Sequence, residues 1–455
     1  MYDFMSEEFI IYETHNGLVP VTDKKQIKIL RLLTEKPQSF NNISSSSDIS
    51  FNPAYSISKL HKSGIICKDG NNNYCIIGKT VLDTESVSKC TENKYKELTE
   101  INKDMLPYVF LDFCDEYGFH KNTFLHSYAY AIAEITKNKL TANSTESAVE
   151  LFDSVCKPFK MHIESYEPLS IHIEKYYETD DSATVSIEVL RHWLEHIHGS
   201  GYKIAKKINC NDNRISVTFE SCDKTHSNHI KNEKTDCTFA VLVSDTECHI
   251  VSHPVQVKII NRLAEKLASK NTILDEIDAC YTTINSNIKK MSDSGLISVI
   301  DIEGVSYCFP THNTMNFAGG GRVEYPDSIL PNNNSNNILN GFFNFVCQKL
   351  GNEKQLMTVL GSFIFDRMYR KCNGCQKEPL YDFAEKLNLE LKLERCLPLT
   401  YRIKHSVNNF DKTKDGLMIG AIRNQIVSST GHNMILTYRT NNETESEVEI
   451  SVIGA

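Results

Sequence analysis

Phe9-Ile-Ile-Tyr12, followed by Val21-Thr-Asp-Lys-Lys-Gln-Ile-Lys-Ile-Leu30, is written a second time as Phe239-Ala-Val-Leu242 and Val251-Ser-His-Pro-Val-Gln-Val-Lys-Ile-Ile260. The offset of about 230 residues is half of the 455-residue chain, the self-similarity that marks a repeated architecture. The register persists downstream. Ser63-Gly64-Ile65 meets Ser294-Gly295-Leu296, and Phe110, Cys114, Gly118 and Lys121 meet Phe343, Cys347, Gly351 and Lys354. Pro168-Leu-Ser-Ile171 then meets Pro398-Leu-Thr-Tyr401, and Gly201 meets Gly431. Each match alone is weak, but their collinearity predicts one unit repeated in tandem.

Within each copy the pattern changes once. In the second copy, Val255, Val257, Ile259, Ile260 and Leu263 recur at mostly helical spacing, which predicts an amphipathic helix over 252–267. A short helix follows over 272–277, then a tight junction at 278–281 and a third helix to Asp293, stopped by Gly295 in the usual C-terminal glycine position. The alternating runs 296–300 and 305–309 flank Asp301-Ile-Glu-Gly304 and predict a β-hairpin. The first copy repeats the order with helices over 24–33, 40–46 and 53–62, and a hairpin of 65–67 and 74–77 around Asp69-Gly-Asn-Asn-Asn73. Three helices and a hairpin make a winged helix.

Val251-Ser-His-Pro-Val-Gln-Val-Lys-Ile-Ile-Asn-Arg-Leu263 and Thr282-Thr-Ile-Asn-Ser-Asn-Ile-Lys-Lys-Met-Ser-Asp-Ser-Gly-Leu-Ile297 resemble the first and recognition helices of the ArsR family of repressors. The resemblance spans about 60 residues per copy; the first copy departs from it at Asn52-Pro53, which still makes a good helix start. It implies double-stranded DNA as the partner. A recognition helix reads base edges in the major groove from its outward face. With Ile57 and Leu60, or Ile284, Ile288 and Met291, turned to the core, the expected contacts are Asn52, Tyr55, Ser56, Lys59 and Lys68 in the first copy and Thr283, Ser286, Asn287 and Lys290 in the second.

Charge separates the copies. Residues 19–82 hold nine Lys/Arg against four Asp/Glu, net +5, whereas residues 249–310 hold six against seven, net −1. Phosphate neutralisation supplies most non-specific affinity, so the first copy is expected to bind DNA more strongly. Asp301 and Glu303 in the second hairpin turn would repel phosphate, which leaves open a protein-pairing role for that copy, or a scaffold role for the whole chain without DNA. Because the two third helices differ, the operator of one chain is expected to be asymmetric. Two chains pairing as a homodimer would restore a palindrome; otherwise the chain is its own pseudo-dimer.

The longer segments read as α+β. Helices are expected over 108–117, 123–136 and 147–155, alternation over 170–174, a helix over 187–198 and strands over 202–208 and 214–219. The second copy offers the equivalent pieces at 338–350, 355–370, 380–387, 400–404, 418–427, 433–438 and 447–452. Helices against an antiparallel sheet are the expected architecture. Phe342, Phe343, Phe345, Phe363 and Phe365 read as core. The order of elements is similar to ligand-binding domains of the 4-vinyl reductase type, which implies a pocket for a small hydrophobic effector. The expected fold class is thus α+β, two tandem copies of a winged helix-turn-helix plus an α+β domain with an antiparallel sheet. The expected domains are 1–88 and 237–315 for the winged helices, and 97–222 and 335–455 for the sensors.

Other chemistries find less support. Cys372-Asn-Gly-Cys375 could share a metal or form a redox pair, but a structural zinc site needs about four ligands and no second pair follows at finger spacing. His192 and His196 stand four apart on one helical face without the His-Glu-x-x-His arrangement. No phosphate loop, nucleophile elbow or paired-carboxylate motif is present, so no catalytic residue and no firm cofactor is assigned. Composition is that of an ordinary globular protein, 40% apolar and 24% charged with a net charge of −9. The acidic N-terminus, the lack of any long apolar run and fifteen scattered cysteines predict a cytoplasmic chain with free thiols and no membrane segment.

Overall fold

The computed structural model describes residues 8–14, 17–86, 95, 97–156, 159–175, 180–208, 214–222, 239–243, 248–265, 268–311, 313–317, 327–330, 337–350, 353–369, 378–396, 399–405, 412–430, 435–441 and 445–451. The chain begins with an antiparallel pair, β1 (Ile10–Thr14) and β2 (Gly17–Val21). Helix α1 (Lys24–Glu35) is started by Asp23, whose carboxylate accepts from the Lys25 amide at 2.8 Å. Gln26, Ile29, Leu30 and Leu33 of α1 fall on one buried stripe at helical spacing. Helix α2 (Phe40–Ser45) is capped in the same way by Ser39, and α3 (Ala54–Lys62) is followed by Gly64 at φ 75°. The short pair β3 (Ile66–Lys68) and β4 (Tyr74–Ile76) comes next. Strand β5 (Lys79–Asp83) then returns to β1, giving the sheet order β2-β1-β5.

The larger unit that follows has α4 (Leu106–Tyr117), α5 (Lys121–Thr136), α6 (Thr145–Val155), β6 (Phe159–Tyr166), β7 (Leu169–Lys175), α7 (Asp180–His198), β8 (Gly201–Ile208) and β9 (Arg214–Cys222). Its antiparallel sheet has the order β6-β7-β9-β8. The same order of elements recurs in the second half. A small unit has β10 (Phe239–Val243), β11 (Cys248–Val251), α8 (Pro254–Glu265), β12 (Ala268–Ser269), α9 (Lys270–Glu276), α10 (Tyr281–Asp293), β13 (Ile297–Ile302), β14 (Val305–Pro310) and β15 (Asn313–Phe317). A large unit has α11 (Phe342–Leu350), α12 (Glu353–Tyr369), α13 (Pro379–Lys386), β16 (Leu389–Cys396), β17 (Leu399–His405), α14 (Lys412–Thr430), β18 (Ile435–Asn441) and β19 (Glu445–Ser451). Strand orders β11-β10-β15 and β16-β17-β19-β18 match those of the first half, so the protein is α+β with several small antiparallel sheets. The added β12 pairs with β14.

Among the described residues, three apolar cores organise the structure. Each small unit has its own, built from α1, α2 and α3 or from α8, α9 and α10. The two large units share the third. Phe110 meets Phe342 at 6.0 Å between ring centroids, Phe113 meets Phe363 at 5.7 Å and Tyr128 meets Phe345 at 5.4 Å. The Tyr128 hydroxyl lies 2.8 Å from the Ile329 carbonyl and 2.9 Å from that of Ile338, both in the other half. Glu116 pairs with Arg367, and the Ile101 amide donates to the Lys386 carbonyl at 2.8 Å. The two large units therefore share one core, in which Phe342, Phe343, Phe345, Phe363 and Phe365 are all buried.

Strands β1 and β10 carry the small units on that body. A strand points successive side chains to opposite faces. Ile10 and Tyr12 enter the core of the first small unit while Phe9 and Ile11 enter the shared core. Ala240 and Leu242 likewise enter the second small unit, with Phe239, Val241 and Val243 in the shared core. Where both faces of a strand meet an apolar core its residues are apolar in succession, which is why Phe9-Ile-Ile and Phe239-Ala-Val-Leu-Val show no alternation, and β1 departs from this only beyond Tyr12, at the paired Glu13 and at Thr14. Inside the body, α12 and α14 touch backbone to backbone. A Cβ at Gly361 would lie 2.1 Å from the Leu417 carbonyl oxygen, and one at Gly420 2.0 Å from that of Thr358.

Candidate nucleic-acid interface

Helices α3 and α10 end alike, at Ser63-Gly64 and Ser294-Gly295, and can be compared position by position from there. Their inner stripes are Ser56, Ile57 and Leu60, and Ile284, Asn287, Ile288 and Met291, all buried. Their outer faces hold Tyr55, Ser58, Lys59 and Lys62 in α3, against Ser286, Lys289, Lys290 and Asp293 in α10, all exposed. The first quartet carries two cations. The second carries two cations and an anion. Tyr55 is 76% exposed, a large side chain with one apolar face and a hydroxyl held out to solvent.

The expected contacts divide accordingly. Tyr55, Lys59, Ser286 and Lys290 stand on the outer faces, and Asn52 is exposed just before α3, its side chain accepting from the Ala54 amide at 3.0 Å. Thr283 is half-buried, with its carbonyl taken by the Asn287 side-chain amide at 2.9 Å. Ser56 and Asn287 are corrections: they are 3% and 5% exposed and cannot reach a groove. Ser56 lies four residues from Leu60, and Asn287 lies three from Ile284 and four from Met291, so helical spacing alone places both on the inner stripe. Residues not anticipated from the sequence are Ser58, Lys62 and Lys289, plus Tyr281, which is 66% exposed at the start of α10.

Each hairpin beside its helix has its own chemistry. Between β3 and β4, Asp69 accepts from the Asn71 and Asn73 amides at 2.9 and 2.8 Å, and Asn72 adopts φ 62°. Lys68 is exposed, and its ammonium lies 5.2 Å from the centroid of the Tyr74 ring. Between β13 and β14, Glu303 and Gly304 take φ 49° and 81°, the pair of positive angles that a two-residue hairpin turn requires. Asp301 and Glu303 there are exposed, so this tip is acidic. Cys280 occupies the N-cap position of α10, its sulfur 2.7 Å from the Thr283 hydroxyl and 3.4 Å from that of Thr282. Those hydroxyls, with the Thr283 amide, bring its pKa down to about 7.

Ion pairs centred on Arg31 hold the first small unit together, and one at Glu13 joins it to the other half. Arg31 of α1 binds both carboxylate oxygens of Asp83 at the end of β5, and reaches Glu8 at 2.9 Å and Glu85 at 3.0 Å. Burial works against the Asp83 carboxylate, and the hydrogen bonds and charge of Arg31 more than offset it, so its pKa lies below the usual range. Glu13 of β1 accepts from the Lys349 ammonium of α11 at 2.7 Å and from the Ser127 hydroxyl of α5 at 2.9 Å. Burial would raise its pKa too, and Lys349, Lys79 and Ser127 together hold it low. This pair joins β1 to a helix of the opposite half.

His192 and His196 have different surroundings. His192 packs edge-on to Tyr130 at 5.2 Å and faces Glu195 at 3.3 Å, and burial pushes its pKa down, while His196 is exposed. Cys372 and Cys375 lie outside the described residues. Among the described residues no three His, Cys, Asp or Glu side chains are grouped to hold a metal ion, and no helix is long and apolar enough to cross a membrane. No protein-family model, curated protein or solved structure matches this chain.

Proposed function

We propose that the protein is a DNA-binding transcriptional regulator that presents two winged helices from one chain. In this reading α1–α3 with the β3–β4 hairpin form the first and α8–α10 with the β13–β14 hairpin the second, with α3 and α10 entering the major groove. The observation that carries it is the outer face of α3, where Tyr55, Ser58, Lys59 and Lys62 stand exposed on a helix flanked by a hairpin. Cations at such positions displace counterions from phosphate, and hydroxyls and an aromatic ring can meet base edges. The two quartets differ in sequence and charge, so one chain reads an asymmetric site. The shared large-unit body is the place for an effector to act. Because β1 and β10 each enter both a small-unit core and the shared core, a change in the body alters where the recognition helices stand.

A mobility-shift titration of the DNA upstream of the protein's own gene, repeated at several salt concentrations, tests this reading. Binding that weakens linearly in log salt is expected; no salt-dependent binding to any fragment counts against it. The second reading, a protein scaffold, draws on the acidic tip formed by Asp301 and Glu303. Lys59→Glu combined with Lys290→Glu separates the two, since regulation in cells survives that double change only in a scaffold.

A further inference from the structure

Cys67 and Cys75 face each other directly across the β3–β4 hairpin, with their sulfur atoms 3.4 Å apart. The turn holds them there. The Asp69 amide donates to the Asn73 carbonyl at 2.8 Å, and the Asp69 carboxylate binds the Asn71 and Asn73 amides, so the two strands cannot slip past one another without breaking the turn. A disulfide needs Cα atoms about 4.4–6.8 Å apart, and directly opposed residues of an antiparallel pair, at about 4.5–5.5 Å, meet that requirement without backbone movement. Both thiols are half-exposed, and so within reach of a small reagent. The corresponding hairpin of the second half has Ser298 facing Phe309 and has no such pair.

We infer that Cys67 and Cys75 are a reversible disulfide site that staples the β3–β4 hairpin when the chain meets a low-molecular-weight disulfide of the glutathione type. Burial and the neighbouring Cys75 sulfur push the Cys67 thiol up to about 11, and exchange can begin from either sulfur with the same balance of atoms and electrons. One of the two thiolates, for instance that of Cys75, attacks one sulfur of the small disulfide, forming a mixed disulfide and releasing one small thiol. The Cys67 thiolate then attacks the Cys75 sulfur, closing the Cys67–Cys75 bond and releasing the second small thiol. The two protons given up by the protein end on the two released thiols, and the protein is oxidised by the two electrons that reduce the reagent. The bond closes a nine-residue loop that contains Lys68 and fixes the tip that the DNA reading places on the duplex. The site itself does not depend on that reading, because the bond is scored with no nucleic acid present.

Lys68 lies between the two cysteines, so trypsin places Cys67 in peptide 63–68 and Cys75 in peptide 69–79. The intact chain is incubated with oxidised glutathione, alkylated, digested and read by mass spectrometry. The expected product is 63–68 joined to 69–79, two hydrogen masses below their sum, from protein that runs as a monomer on a non-reducing gel, and lost after dithiothreitol. The exposed Cys280, in peptide 271–289, serves as the control that oxidant reached the protein. Glutathione on Cys280 with Cys67 and Cys75 recovered as separate alkylated or glutathionylated peptides overturns the inference. So does either cysteine joined to a different one, or to a second chain.

Discussion

Removing the Lys349 ammonium should destabilise the central body far more than removing both partners of its ion pair. The side chains of Lys349 and Glu13 are only 8% and 9% exposed, and Phe124 and Phe345 lie 5.9 and 5.5 Å from the ammonium. Lys349→Met leaves the Glu13 carboxylate in that setting with the Ser127 hydroxyl as its closest remaining support, and stranding a buried charge costs roughly 3–5 kcal/mol. In the second half, Val243 stands where Glu13 stands in the first, and it is buried. Glu13→Val with Lys349→Met should therefore return to within about 1–2 kcal/mol of the parent protein. The chain has one tryptophan, and Trp193 is fully buried in the shared core, so urea unfolding followed by its emission reports on this body. A single Lys349→Met change costing less than about 1 kcal/mol, or a double variant as unstable as the sum of the two singles, would refute the reasoning.

Other outcomes follow from the same contacts. The Glu13 and Asp83 carboxylates are both held below their ordinary pKa, so their contribution to stability is complete above the unfolded carboxylate range of about 4 and is lost as pH falls through the folded values. The urea midpoint read from Trp193 should be flat near neutrality and fall below about pH 4, and Asp83→Asn should make that fall shallower. Asn287→Lys forces a cation into the inner stripe of α10 and should cost about 3 kcal/mol or more, whereas Ser286→Lys one residue away should stay within about 0.5 kcal/mol, by thermal unfolding. Tyr128→Phe removes the hydroxyl that meets the Ile329 and Ile338 carbonyls and should cost about 1–2 kcal/mol in the Trp193 assay.

The helices and hairpins of the small units were legible because they bury one face only. Their apolar residues recur at 3.6 or 2 positions, and Gly64 and Gly295 mark the helix ends. Strands β1 and β10 were visible as a repeated motif but not as strands, since two buried faces erase the alternation that identifies one. Strand β16 does alternate, Leu389 and Leu391 inward against Glu390 and Lys392 outward, and was missed beside the helix preceding it. The union of the large units could not be read at all. Phe110 and Phe342, or Tyr128 and Ile338, are more than 200 residues apart, and an aromatic residue is equally apolar whichever half covers it. At the candidate interface the helix was legible and its rotation was not used: polarity nominated Ser56 and Asn287, while spacing excluded them.

The most direct test of the regulator account is the salt dependence of DNA binding by the intact chain and by Lys59→Gln/Lys62→Gln, two outer-face changes that touch no core. Fluorescence polarisation with a duplex from upstream of the gene, between about 50 and 200 mM salt, gives the slope of log affinity against log salt, about 0.9 per phosphate neutralised. The account expects the variant to bind more weakly, with a slope shallower by about 1.8. Identical slopes and affinities in the two proteins, or no binding by either, would contradict it.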